Sequence, residues 1–168
     1  VGEVFLRLGK VYFARTEYGL AAKSYRMFSA LFPEDPRAID AAREVIRCQE
    51  AAGDVVNADK ARADLLASFS PSTEWYRSLK QEAKEHADSV LVQTYLALGN
   101  NLTVAARDTK DGELYQRAVG VYKEFLACYP NKPESDRARF LLGEVFFESG
   151  QYRQAAEAYK ECFVLAAD

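Results

Sequence analysis

The stretch Leu142–Tyr159, LGEVFFESGQYRQAAEAY, decides the fold. It lies without a gap over Leu8–Tyr25, LGKVYFARTEYGLAAKSY. Gly143 falls on Gly9, Phe146 on Tyr12, Tyr152 on Tyr18, and Tyr159 on Tyr25. Ala155 and Ala156 fall on Ala21 and Ala22. Apolar and small residues recurring every three or four positions argue for helices. Each stretch therefore reads as two helices joined by a short turn. One hairpin cannot bury both of its faces, so such units stack.

Two weaker copies lie between these. Val55, Ala58, Arg62 and Pro71 fall roughly where Tyr18, Ala21, Tyr25 and Pro33 stand in the first copy. Tyr115, Ala118, Tyr122 and Pro130 restore the pattern. The expected hairpins are about 2–32, 37–70, 85–129 and 134–167, within one domain over 1–168. An extra helical segment is expected over about 72–84. There the reading is a short helix from Glu74 to about Lys84, capped by Ser72, and a long one to about Arg107. Gly99-Asn100-Asn101 reads either as a kink or as weak positions in one helix. Ser135 reads as a cap of the last hairpin, and Gly150 as a left-handed helix terminator. Trp75 and Tyr76 read as a plug at the junction with the second hairpin, with an exposed docking patch as the alternative.

The fold class is all-α, a right-handed superhelical stack of antiparallel helix hairpins. Close helix crossings need small residues. An interior glycine costs about 1 kcal/mol against alanine, which suits Gly9 and Gly143 only if a neighbour comes close. Ala21, Ala58, Ala118 and Ala155 serve the same end from the second helices. Tyr12, Tyr25, Tyr122, Phe146 and Tyr159 are the large complements.

The chemistry-bearing residues are sparse. The 168 residues carry a net charge of -3, with no basic stripe for a nucleic acid. No apolar run approaches the roughly 18 residues that cross a bilayer. Cys48, Cys128 and Cys162 form neither a CxxC pair nor a disulfide framework. They read as buried free thiols, with a Cys128–Cys162 bridge as the alternative. His86 is the one histidine and has no second His or Cys nearby in sequence. Glu144 and Glu148 share a helix face, but as surface carboxylates. No phosphate-binding glycine motif occurs. The expectation is no enzyme, no metal and no cofactor. The chain opens on Val1, and ECFVLAAD carries no Gly or Pro stop, so a piece of a longer repeat protein is expected.

The pattern resembles the tetratricopeptide repeat. Leu8, Gly9, Tyr12, Tyr18, Ala21, Tyr25 and Pro33 carry the likeness in the first unit. Leu142, Gly143, Phe146, Gly150, Tyr152, Ala155 and Tyr159 carry it in the last. The second hairpin departs, with Ile46 for the glycine and Arg62 for the aromatic. Residues 125–161 are also similar in style to bacterial envelope repeat proteins, the Tol-Pal-associated coordinator and the outer-membrane assembly lipoproteins. That likeness leans towards a periplasmic or envelope setting, while the three free cysteines agree equally with the cytoplasm.

The resemblance implies a binding module whose first helices line a concave groove for a peptide or partner helix. Carried onto this chain, the lining is Leu6, Lys10 and Phe13, then Arg43, Arg47 and Glu50, then Phe140, Glu144, Phe147 and Glu148. Such a groove is basic at its start and acidic at its end. Lys10 lacks the neighbouring Asn with which some relatives hold a chaperone's C-terminal carboxylate. Self-assembly through open solenoid ends, helped by the apolar CFVLAAD, is the alternative, as is a spacer domain of a larger envelope or enzyme-associated protein.

Overall fold

The computed structural model of the chain describes residues 2–165, with side chains to Cys162. The described residues form helices and turns without a strand. In order these are α1 (Gly2–Ala14), α2 (Tyr18–Leu31), α3 (Ala38–Ala51), α4 (Val55–Phe69), α5 (Glu74–Ser78), α6 (Gln81–Thr109), α7 (Gly112–Cys128), α8 (Glu134–Glu148) and α9 (Tyr152–Leu165). The architecture is all-α and fits an α-solenoid of helical hairpins. Residues 163–168 of the CFVLAAD tail lie outside the described side chains.

The helices pack into two compact units, residues 1–91 and 92–168, with the division inside α6. In the first unit α1 packs on α2, α2 on α3, and α3 on α4. In the second, α7 packs on α8 and α8 on α9. The C-terminal half of α6 meets α7 through Tyr95, whose ring centroid lies 5.9 Å from that of Phe125.

Four hairpin turns share one backbone solution. Thr16, Gly53, Lys110 and Gly150 each take a positive φ, of 61°, 73°, 55° and 78°. The next residue's N–H then reaches back to a carbonyl of the finished helix. These bonds are Glu17 to Tyr12 at 2.9 Å, Asp54 to Gln49 at 2.9 Å, Asp111 to Ala106 at 3.1 Å and Gln151 to Phe146 at 2.8 Å. This is the Schellman ending, which satisfies carbonyls that the helix leaves open. Two of the next helices are also capped. Asp54 accepts from the Asn57 N–H, and Asp111 from those of Glu113 and Leu114.

The steps between hairpins repeat as well. Phe32 before Pro33 and Tyr129 before Pro130 adopt nearly the same conformation, φ -131° ψ 57° and φ -133° ψ 63°. A proline disfavours the helical region for its predecessor, so the helix ends there.

The middle segment differs from the sequence reading. The short helix stops at Ser78 rather than near Lys84, because Leu79 is extended at ψ 146°. No Gly or Pro marks this break. The Ser78 hydroxyl donates to the Trp75 carbonyl at 2.7 Å, and the Arg77 guanidinium to the Ser72 and Thr73 carbonyls at 3.2 Å each. Side chains thus occupy carbonyls around the short helix. The cap is Thr73, which accepts from the Tyr76 N–H at 3.2 Å, rather than Ser72. Ser135 does not cap α8 either: it is buried and its hydroxyl donates to the Tyr129 carbonyl. Trp75 is buried with its ring edge-on to Phe69 at 4.6 Å, and Tyr76 donates to Asp88 at 2.7 Å. Gly99-Asn100-Asn101 lies inside continuous α6.

Candidate functional site

The repeat register is set by three glycine–tyrosine contacts. A Cβ built on Gly9 would stand 2.5 Å from Tyr25 Cζ, one on Gly99 2.6 Å from Tyr122 Cζ, and one on Gly143 2.5 Å from Tyr159 Cε1. Each tyrosine ring lies directly against a bare helix backbone. Burial pushes the hydroxyls of Tyr25, Tyr122 and Tyr159 up to about 12. At Tyr159 the hydrogen bond it donates to Glu144 adds to this.

Sequence comparison found two of these contacts and missed Gly99. The span from Gly99 to Tyr122 exceeds the other two by about two helical turns of 3.6 residues. Both α6 and α7 run one turn further past the crossing, so the same faces still meet. That whole-turn insertion was the signal available in the sequence.

In the second hairpin Ile46 and Arg62 hold these positions. A ring cannot lie against Ile46 as it lies against a glycine. Arg62 is buried instead, with its guanidinium held by Asp59 at 2.7 Å and by Glu50. Glu50, a groove candidate from sequence, therefore spends its carboxylate on Arg62.

The other groove candidates of the first unit come together. Leu6, Lys10, Phe13, Arg43 and Arg47 line one open depression between α1 and α3, of about 590 Å³. Arg47 lies over the Phe13 ring at 4.5 Å and reaches Glu44 at 3.4 Å. Arg43 pairs with Asp40 at 3.0 Å, and Asp40 also meets His86 Nε2 at 3.0 Å. Arg37 closes one end on Glu3 at 3.1 Å and Asp35 at 2.7 Å. That hydrogen bond holds the Asp35 carboxyl below its ordinary range. The basic character read from sequence is thus largely matched by carboxylates on the same helices. Lys10 is exposed and has no ion pair among the described residues.

In the second unit Phe140 and Glu144 line a smaller hollow with Asn100, Thr103 and Tyr122. Phe140 packs on Tyr159 at 5.9 Å and is half exposed. Phe147 points to the turn, ring edge on Tyr152 at 5.5 Å. Glu148 accepts from Arg107 Nε at 3.1 Å and from the Tyr115 hydroxyl at 3.3 Å. Burial, then the Glu148 charge, raises the Tyr115 hydroxyl above its usual value. The four residues therefore divide between two places.

Cys48 is buried, Cys128 and Cys162 are half-buried, and all three are free thiols. Burial raises each thiol, Cys48 to about 11, which keeps them protonated and poor nucleophiles. Among the described residues no group of His, Cys, Asp and Glu is placed to hold a metal ion. Among the same residues no helix is long and apolar enough to cross a membrane.

A family model described as the tetratricopeptide repeat matches residues 3–35 and 137–163. Its first and last hairpins are tetratricopeptide-like. Among solved structures, a kinesin-light-chain-like protein of Podosopora anserina with nearly identical TPR-like repeats is similar at a TM-score of 0.50 and 17% identity. The alignment covers 98% of this chain and 74% of that one. This likeness is one of fold. The MamA protein aligns at a TM-score of 0.37 and 15% identity, over 96% of this chain and 89% of that one. The comparison with curated proteins gives no match. Family match and fold likeness together support the tetratricopeptide-repeat reading. Such repeats generally mediate protein–protein interactions, and they are typically non-catalytic scaffolds.

Proposed function

We propose that this chain is a non-catalytic adaptor that binds a peptide or partner helix against the first helices of its hairpins. The convergence of Leu6, Lys10, Phe13, Arg43 and Arg47 on one depression carries the reading. The depression offers an apolar floor, an aromatic face already backed by a guanidinium, and one uncommitted ammonium. A short segment with an apolar anchor and an acidic neighbour suits that lining: the anchor on Leu6 and Phe13, the carboxylate on Lys10. Pairing of Arg43 and Arg47 within the wall reduces the long-range pull on acidic partners and keeps specificity local. The Phe140–Glu144 hollow is a second contact point on the same kind of helix. The likeness of residues 125–161 to envelope repeat proteins supports a bacterial cell-envelope setting for such an adaptor.

The test is a pull-down from native lysate with the wild type, Lys10→Glu and Arg43→Glu/Arg47→Glu as parallel baits. The reading expects a protein that the wild type retains and both variants lose. A protein held equally by all three baits sinks the groove assignment. Circular dichroism of each bait separates a lost surface from a lost fold.

A further inference from the structure

A second open groove lies between α2 and α4, with α3 beneath it. Its volume is about 390 Å³. Val45, Leu65, Phe69 and Trp75 line it and are buried, so its floor is apolar. Arg26, Glu34 and Asp64 also line it and are exposed, so they form its rim. None of these three has an ion pair among the described residues. Two carboxylates against one guanidinium leave the rim net negative. The groove shares no lining residue with the depression between α1 and α3.

The second unit shows what occupies the corresponding place there. FPEDP at 32–36 lies over YPNKP at 129–133 without a gap, and α3 continues over α8 in the same register. Pro33 falls on Pro130 and Ala42 on Arg139. With Ala58 on Ala155, Leu65 of α4 falls on Cys162 of α9. The side chain of Arg139 is only 12% exposed. Its guanidinium donates to the Pro130 carbonyl at 2.7 Å and to Asp136 at 2.8 Å. Its charge is also felt at the Cys162 thiol, where it works against the upward push of burial. In the first unit the same position is Ala42, a lining residue of the groove. There the Pro33 carbonyl receives no side-chain donor among the described residues. The groove is open because a methyl group stands where the last hairpin has an arginine.

We infer that this groove takes an arginine of a partner protein, carried on a segment with an apolar neighbour. The guanidinium takes the part that Arg139 plays in the last hairpin, donating to the Pro33 carbonyl with Asp64 and Glu34 on the rim. The aliphatic stem and the apolar neighbour cover Val45, Leu65 and Trp75. Arginine suits the site better than lysine. Its planar fork serves a carbonyl and a carboxylate together, and a guanidinium is less strongly hydrated than an ammonium. Charge-assisted bonds to the rim carboxylates give the contact its selectivity. The site stands on second helices and is independent of the depression between α1 and α3. The two faces would take segments of opposite charge.

Trp75 is the single tryptophan of the chain, so its fluorescence reports on the groove it lines. The probe is the capped peptide acetyl-Leu-Arg-Leu-amide, titrated into the 168-residue chain beside the same peptide with citrulline, which keeps the shape and removes the charge. A saturable change in Trp75 emission is expected with the arginine peptide, and binding weaker by roughly tenfold or more with citrulline. Glu34→Gln/Asp64→Asn, at two exposed positions, should weaken the arginine peptide by a similar factor. Ala42→Arg supplies the guanidinium from within, as Arg139 does, and should abolish the response. Circular dichroism checks the fold of each variant, and the carboxylate variant decides if Ala42→Arg does not fold. The inference is overturned by the absence of a saturable response, or by equal affinity for the arginine and citrulline peptides. A folded variant of either kind that binds as the wild type does also overturns it.

Discussion

Gly99→Ala and Gly120→Ala place the same methyl group on helices of one hairpin, with opposite expected signs. At Gly120, in α7, a Cβ meets nothing within 4 Å. Alanine there gains helix propensity, about 1 kcal/mol. At Gly99, in α6, the Cβ would stand 2.6, 2.8 and 3.0 Å from Cζ, Cε1 and Cε2 of Tyr122. Ordinary contact needs nearly an ångström more. Tyr122 is 1% exposed, so its ring can retreat only by displacing packed neighbours. Overpacking a filled core costs up to about 3 kcal/mol. Set against the same propensity gain of about 1 kcal/mol, the net loss is about 2 kcal/mol. Urea denaturation of both variants measures the pair, read from the midpoint at unchanged slope. In a double-mutant cycle, Tyr122→Leu should remove most of the Gly99→Ala penalty, because the clash partner is then gone. If Gly99→Ala stabilises as Gly120→Ala does, the tyrosine-on-backbone account of the crossing is wrong.

Thr16 and Lys110 hold left-handed turn positions that glycine fills at Gly53 and Gly150, and the left-handed region costs an L-residue about 1 kcal/mol or more. Thr16→Gly and Lys110→Gly should each therefore raise the denaturation midpoint, the β-branched Thr16 by more. Arg62→Ala should destabilise by about 2 kcal/mol, less than the roughly 3–5 kcal/mol of a fully buried pair because Glu50 is half exposed. Arg62→Lys should recover only part of this, since one ammonium cannot serve both Asp59 and Glu50 with a planar fork. Both are read by thermal melts. Tyr25, Tyr122 and Tyr159 carry hydroxyls raised to about 12, against an ordinary value of about 10. A folded-state value above the unfolded one gives stability that is complete below about pH 10 and lost as pH rises through about 12. Denaturation midpoints across that window should fall together with the appearance of tyrosinate absorbance. Constant stability through it would contradict the buried-ring picture.

The first and last hairpins were legible because their spacings survive intact, Gly9 to Tyr25 and Gly143 to Tyr159. The left-handed turn at Gly150 was legible because glycine announces it. Thr16 and Lys110 adopt the same backbone with residues that give no such sign, so the shared turn geometry was hidden. Gly99 was missed because a whole-turn insertion moves the glycine out of simple alignment while leaving its face unchanged. The break at Ser78 was missed because side-chain hydrogen bonds to backbone carbonyls produce it, without a breaker in the sequence. For the groove, helical spacing of three and four placed Leu6, Lys10 and Phe13 on one face of α1, and that needs no tertiary information. Charge pairing did need it. Arg62 reaching Glu50 comes from across the hairpin, and His86 beside Asp40 comes from α6, outside that hairpin.

The measurement that bears most directly on the adaptor reading is the affinity of the captured partner for four forms of the chain by titration calorimetry. The forms are wild type, Lys10→Glu, Arg43→Glu/Arg47→Glu and, as a control at an exposed α9 position outside the depression, Ala156→Arg. Charge reversal inside a binding groove should weaken affinity by roughly tenfold or more. The account predicts that loss for both groove variants and an unchanged affinity for Ala156→Arg. Equal affinity across the first three forms, or a loss confined to Ala156→Arg, would contradict it.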